Sequence, residues 1–112
     1  MSDLTTKHCL PCEGGIPPLK KEVIAEHLQK LKHWKLSEDG KKIIRYFHFS
    51  NFYQTMAFVN AIAWIANQEN HHPDLEVGYN YCRVHFSTHA INDLTENDFI
   101  CAAKIEALNI TN

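Results

Sequence analysis

From Leu19 to Leu31 the apolar residues Leu19, Val23, Ile24, Leu28 and Leu31 recur at three- and four-residue steps, with lysines and glutamates between them. That spacing predicts an amphipathic helix. Pro18 suits its entrance, where a missing backbone N–H costs little. Trp34-Lys35-Leu36 then reads as a short strand, Glu38-Asp39-Gly40 as a turn, and Ile43 to Phe49 as a second strand. Alternation sets Ile43, Phe47 and Phe49 on one face and Ile44, Tyr46 and His48 on the other. Asn51 is the expected N-cap of a second helix running to about Asn67. This helix is apolar nearly all round: Phe52, Met56, Val59, Ala63 and Ala66 line one side, and Phe58, Ile62 and Ile65 another. It is expected to pack on its own sheet and on another subunit, because one small sheet cannot also cover Phe58, Ile62 and Ile65.

Leu75 to Asn80 and Tyr81 to Thr88 read as two further strands. In the last, Cys82, Val84 and Phe86 point one way, and Arg83, His85, Ser87 and His89 the other. Thr95 caps a third helix, with Asp98 at the capping-box position and Phe99, Ala102, Ala103, Ile105 and Leu108 inside. The order α-β-β-α-β-β-α predicts an α+β fold, an antiparallel four-stranded sheet with three helices packed on one face and the other face open.

A length of 112 residues suits one domain, placed here at residues 19–112, preceded by an N-terminal segment (1–18) that either joins that domain or is flexible. The net charge of -2 argues against a nucleic-acid partner. The longest apolar stretch, Met56 to Ala66, is interrupted by Asn60 and falls short of the ~20 residues that span a bilayer, so no membrane partner is expected. Met1-Ser2-Asp3-Leu4 lacks the basic and apolar regions of a signal peptide, which predicts a cytoplasmic location and reduced thiols at Cys9, Cys12, Cys82 and Cys101. Cys9 and Cys12 stand beside His8, but no second Cys-x-x-Cys completes a zinc site. The pair precedes Gly14-Gly15 and Pro17-Pro18 rather than opening a helix, so a plain N-terminal segment is the expectation.

Of the eight histidines, three are placed suggestively. His71-His72-Pro73 follows the second helix, and His89 ends the last strand. Proline holds His72 extended, so the two adjacent rings should project differently. A chain returning through a hairpin would bring His89 beside them. His8, His27 and His33 read as ordinary surface residues, and His48 and His85 as residues of the open sheet face.

Asn70-His71-His72-Pro73, then Tyr79-Asn80, then Ser87-Thr88-His89, then Asp98 resembles the signature of the pterin-4a-carbinolamine dehydratases. The resemblance extends to Trp34 and to Arg45-Tyr46-Phe47-His48-Phe49-Ser50-Asn51-Phe52, covering about residue 19 to residue 108. The segment around Cys9 and Cys12 is similar to that of bacterial members. Many members carry a glutamate four residues before the first histidine; here Asn67 stands there, and Glu69 lies two residues closer.

The resemblance implies a small-molecule substrate, a 4a-hydroxytetrahydropterin left by an aromatic amino acid hydroxylase, and its dehydration to the quinonoid dihydropterin. It implies acid and base roles for His71 and His89 and pterin binding by His72. Asn70, Ser87 and Thr88 would line the same pocket, with Asp98 and Glu69 as supporting residues. No cofactor and no metal are implied. Histidine suits the chemistry because its unperturbed pKa of about 6.5 lies near working pH. A homodimer or homotetramer, coupled in function to the hydroxylase, is expected. Two alternatives stand beside this reading: a metal enzyme using His71, His72, His89 and Glu69, and a helix-mediated dimerisation or transcriptional cofactor without catalysis. Asp98 also has two readings, as a helix-capping carboxylate or as a residue of the active site.

Overall fold

The computed structural model describes residues 2–10 and 17–108. Its elements are α1 (Ser2–Thr6), α2 (Lys21–Lys30), β1 (Lys35–Leu36), β2 (Ile43–His48), α3 (Phe52–Glu69), β3 (Asp74–Val77), β4 (Tyr81–Phe86) and α4 (Glu96–Glu106). The expected α-β-β-α-β-β-α order runs from α2 to α4, with α1 as an additional short turn of helix ahead of it. The four strands form one antiparallel sheet in the order β1-β2-β4-β3. No described helix is long and apolar enough to cross a membrane.

Alternation along the strands decides which sheet face is buried. Ile43 and Phe49, and Cys82, Val84 and Phe86 of β4, turn inward and are almost wholly buried. They meet Phe58, Ile62 and Ile65 of α3, Ile24 of α2, and Phe99, Ala102, Ala103 and Ile105 of α4 in one core. The other face carries Tyr46, stacked on Tyr81 at 5.7 Å, and His85, whose Nε2 lies 2.7 Å from Glu76. His48, paired through its Nε2 with the Asn80 side chain at 3.3 Å, is also exposed. Gly40 supplies the positive φ of 74° that the β1–β2 turn requires.

The inward side of α3 differs from the expectation. Phe58 and Ile62 are 1% exposed and Ile65 7%, so these residues fill the protein's own core instead of awaiting a partner. The buried stripe is Thr55, Phe58, Ile62, Ile65 and Glu69, spaced by three and four residues. Polar Thr55 and Glu69 at its two ends mask its full length in the sequence. Met56, Val59 and Ala66 flank it and are half-buried, while Phe52, Tyr53 and Trp64 face outward. His27 also departs from a surface role: its ring packs on Phe99 at 4.8 Å. Burial there, the leading influence, pulls its pKa below the usual histidine value.

Ile62→Ala should therefore destabilise the folded chain by about 2–5 kcal/mol through cavity formation, while Ala63→Ser on the exposed side should change it by less than about 0.5 kcal/mol. Urea denaturation of the two variants checks the assignment, and equal losses would contradict it.

Candidate active site

The site begins with the way α3 stops. Asn70 adopts the left-handed conformation at φ 51° and its N–H returns to Ala66 and Asn67. The His71 N–H also bonds the Ala66 carbonyl, at 3.1 Å. Asparagine tolerates this geometry better than other side-chain-bearing residues. The helix thus ends abruptly, and Pro73 commits the chain to extended backbone entering β3.

The β3–β4 hairpin brings the chain back. Its turn is closed by the Gly78 N–H on the Tyr81 carbonyl at 3.0 Å, and the Thr55 hydroxyl ties the Tyr79 carbonyl to α3 at 2.9 Å. Asp74 pairs with His85 in the antiparallel register, so residues preceding Asp74 lie beside residues following His85. His72 and His89 consequently stack, with ring centroids 5.1 Å apart. His89 Nε2 also lies 3.3 Å from Asp74.

The two adjacent histidine rings diverge, as the proline predicts. His72 is exposed, whereas His71 turns inward and is 8% exposed. Its ring lies parallel to Phe86, at 6.0 Å between centroids, and its Nε2 sits 2.6 Å from Asp98 Oδ1. Asp98 is wholly buried. Its Oδ2 accepts the Thr88 hydroxyl at 2.9 Å and the Thr95 N–H at 3.0 Å.

The hydroxyl hydrogens in this network are determined by counting donors. Thr88 has one hydroxyl hydrogen, and it points at Asp98. Across the 2.8 Å contact between the two threonine hydroxyls, Thr95 must therefore donate. The Thr95 oxygen in turn accepts from the Asn97 N–H at 3.2 Å and from the Asp98 N–H, completing a capping box. With the carboxylate accepting throughout, His71 donates from Nε2 and its Nδ1 is the basic nitrogen of the neutral ring. Asp98 thus caps α4 and bonds the His71 ring with one carboxylate.

A cavity of about 430 Å³ opens along this edge, lined by Val59, Ala63 and Ala66 of α3, by Asn70, His71 and His72, and by Leu75. It is apolar along the helix and polar at the histidine end, as ligand pockets commonly are. The expected residues divide among several positions. Asn70, His71 and His72 meet at the cavity and His89 lies against His72, whereas the Thr88 hydroxyl is spent on Asp98. Ser87 is buried beside Thr88.

Glu69 turns away from the cavity. Its carboxylate accepts the Cys9 N–H at 2.7 Å and faces His8 Nδ1 at 3.0 Å, with Lys104 at 3.6 Å. Among the described residues no three His, Cys, Asp or Glu side chains are grouped as a metal ion would need. Cys12 lies outside the described residues. Phe86, Asp74 and the inward role of Thr88 were not anticipated; the strand register beside Asp74 is the signal that could have found that residue.

Two stability predictions come from these carboxylates. Asp98→Asn keeps the shape but aims an amide at donors, leaving a buried donor unmet, which should cost about 1–3 kcal/mol in chemical denaturation. A cost near zero would contradict the network. Burial raises the Glu69 pKa, but the Cys9 N–H and His8 bonds with the Lys104 charge outweigh it and hold the group below its ordinary 4.5. A depressed carboxylate contributes stability above its unfolded pKa and loses it as pH falls through the folded value. The Tm gap between wild type and Glu69→Gln should hold steady at neutral pH and shrink below about pH 4; a gap independent of pH would contradict this.

Comparison with known proteins places this architecture. Residues 17–108 match the family model described as pterin 4 alpha carbinolamine dehydratase. A protein of Legionella pneumophila (strain Corby) named "Putative pterin-4-alpha-carbinolamine dehydratase" is 66% identical over 108 residues, covering 96% of each chain. One of the same name from Nitrosomonas eutropha is 56% identical over 110 residues, covering 97% of this chain and 96% of its own. The crystal structure of a transcriptional coactivator/pterin dehydratase from Brucella melitensis superposes with a TM-score of 0.78 at 30% identity, over 82% of this chain and 98% of that one. With the fold and the histidine-bearing edge already described, these matches carry one conclusion: the chain belongs to the pterin-4a-carbinolamine dehydratase family.

Proposed function

We propose that this protein dehydrates a 4a-hydroxytetrahydropterin to the quinonoid dihydropterin, by histidine acid–base chemistry at the edge where α3 ends and β4 finishes. The observation that carries the reading is that His71 and His72 line one cavity while the His89 ring stacks on His72. Dehydration requires a proton delivered to the departing 4a hydroxyl and another removed from the neighbouring ring nitrogen. His71 and His89 serve as the acid and base between them, and His72 binds the pterin. The bond from His71 Nε2 to Asp98 supports this assignment, because it orients the ring and sets Nδ1 as its basic atom. Val59, Ala63 and Ala66 offer an apolar wall for a flat heterocycle, with Asn70 at its polar end.

The reading includes a cytoplasmic setting and a place after an aromatic amino acid hydroxylase, whose spent cofactor is the substrate. It also includes a homodimer or homotetramer built partly on α3. Tyr53 at 85% and Trp64 at 66% exposure support that interface, in place of the core-facing residues. The same outward aromatics are what a non-catalytic, helix-mediated cofactor role would use, and the Brucella melitensis structure is that of a transcriptional coactivator/pterin dehydratase.

A coupled assay supplies the 4a-hydroxypterin and follows formation of the quinonoid dihydropterin. Turnover well above spontaneous dehydration is expected. His71→Ala and His89→Ala should each lower it about 10²–10⁴-fold with the circular dichroism spectrum unchanged, while His72→Ala should act chiefly on KM. No rate above the spontaneous one would sink the enzymatic reading and leave the cofactor role.

A further inference from the structure

The N-terminal residues and α4 bring two cysteines into contact. Cys9 Sγ lies 3.6 Å from Cys101 Sγ, although the residues are far apart in sequence. Neither is loosely held. The Cys9 N–H bonds Glu69 at 2.7 Å, and the next residue, Leu10, exchanges two bonds with the Asn97 side chain, at 3.0 and 2.8 Å. Upstream, Leu4 is 3% exposed and the Thr5 carbonyl accepts Lys104 at 3.0 Å. Cys101 is buried in α4, and its Sγ reaches the His71 carbonyl at 3.8 Å.

We propose that Cys9 and Cys101 form an intramolecular disulfide under peroxide oxidation, a covalent clasp fastening the N-terminal segment to α4. The sulfurs need close only by roughly 1.5 Å to reach the ~2.05 Å of a disulfide. Cys9, half-buried, is the thiol a peroxide reaches first, and Cys101, wholly buried, resolves the product. The Cys9 thiolate attacks a peroxide oxygen, the O–O bond breaks, and a sulfenic acid and hydroxide result, the hydroxide taking up the proton that the Cys9 thiol released to become water. The Cys101 sulfur then attacks the sulfenic sulfur, the S–O bond breaks, and the departing hydroxide leaves as water with the Cys101 proton. Two thiols and one peroxide give one disulfide and two waters. The hydrogen bond to Cys101, followed by burial, pushes the Cys9 thiol pKa up, so oxidation is slow near neutrality and quickens as pH rises. Cys82, buried in β4 with its thiol pushed up to about 11, has no cysteine neighbour among the described residues.

The experiment oxidises the full chain with hydrogen peroxide, alkylates it under denaturing conditions and maps peptides by mass spectrometry without reduction. A peptide joining Cys9 to Cys101 is expected, with Cys12 and Cys82 alkylated. A Tm higher by several degrees should return to the starting value with dithiothreitol, because the bridge closes a long loop of the unfolded chain. Cys9→Ser should abolish both changes, and Cys12→Ser should retain both. Cys9→Ser is the decisive variant, because Cys101→Ser buries a hydroxyl in the core. A peptide joining Cys9 to Cys12, Cys9 overoxidised without a link, or a linked protein with unaltered Tm would overturn the proposal.

Discussion

The buried carboxylate of Asp98 holds together the parts that define the candidate site. It accepts from the His71 ring, from the Thr88 hydroxyl and from the backbone N–H that opens α4. A bare carboxylate at zero exposure would be strongly disfavoured. Three donors and the positive end of a helix offset that cost. The arrangement ties the end of α3, the end of β4 and the start of α4 to a single side chain. Removing any of those segments would leave buried polar atoms without partners.

The remainder of the site follows from backbone constraints. The left-handed turn at Asn70 and the extended approach to Pro73 separate the two adjacent imidazoles, one turned into the network and one toward the surface. The antiparallel register of β3 and β4 returns His89 to the second of them. The cavity between this edge and α3 therefore joins an apolar wall to the imidazoles of His71 and His72. At that same end of α3, Glu69 serves the N-terminal segment and not the cavity.

Much of this is legible in the sequence because local rules and global packing agree. Asn51 and Thr95 cap the helices that their positions announce, and period-two alternation separates Cys82, Val84 and Phe86 from Arg83 and His85. The divergence of His71 and His72 was readable from Pro73. What escaped depends on contacts between distant segments. The buried stripe of α3 ends in Thr55 and Glu69, whose polarity conceals their burial, so in the sequence the core-facing side looks surplus. Glu69 lies next to the histidines in sequence, yet its partners are His8 and Cys9. Asp98 could be read as a cap from Thr95 alone, but its bond to His71 needed the fold.

The bond to Asp98 holds His71 in one tautomer, protonated at Nε2. Nitrogen-15 NMR of histidine-labelled protein reads this directly through the ring nitrogen shifts and their couplings to carbon-bound protons. His71 in the wild type is expected to carry a proton on Nε2, with that preference relaxed in Asp98→Asn. A His71 ring protonated at Nδ1 with a bare Nε2 would contradict it.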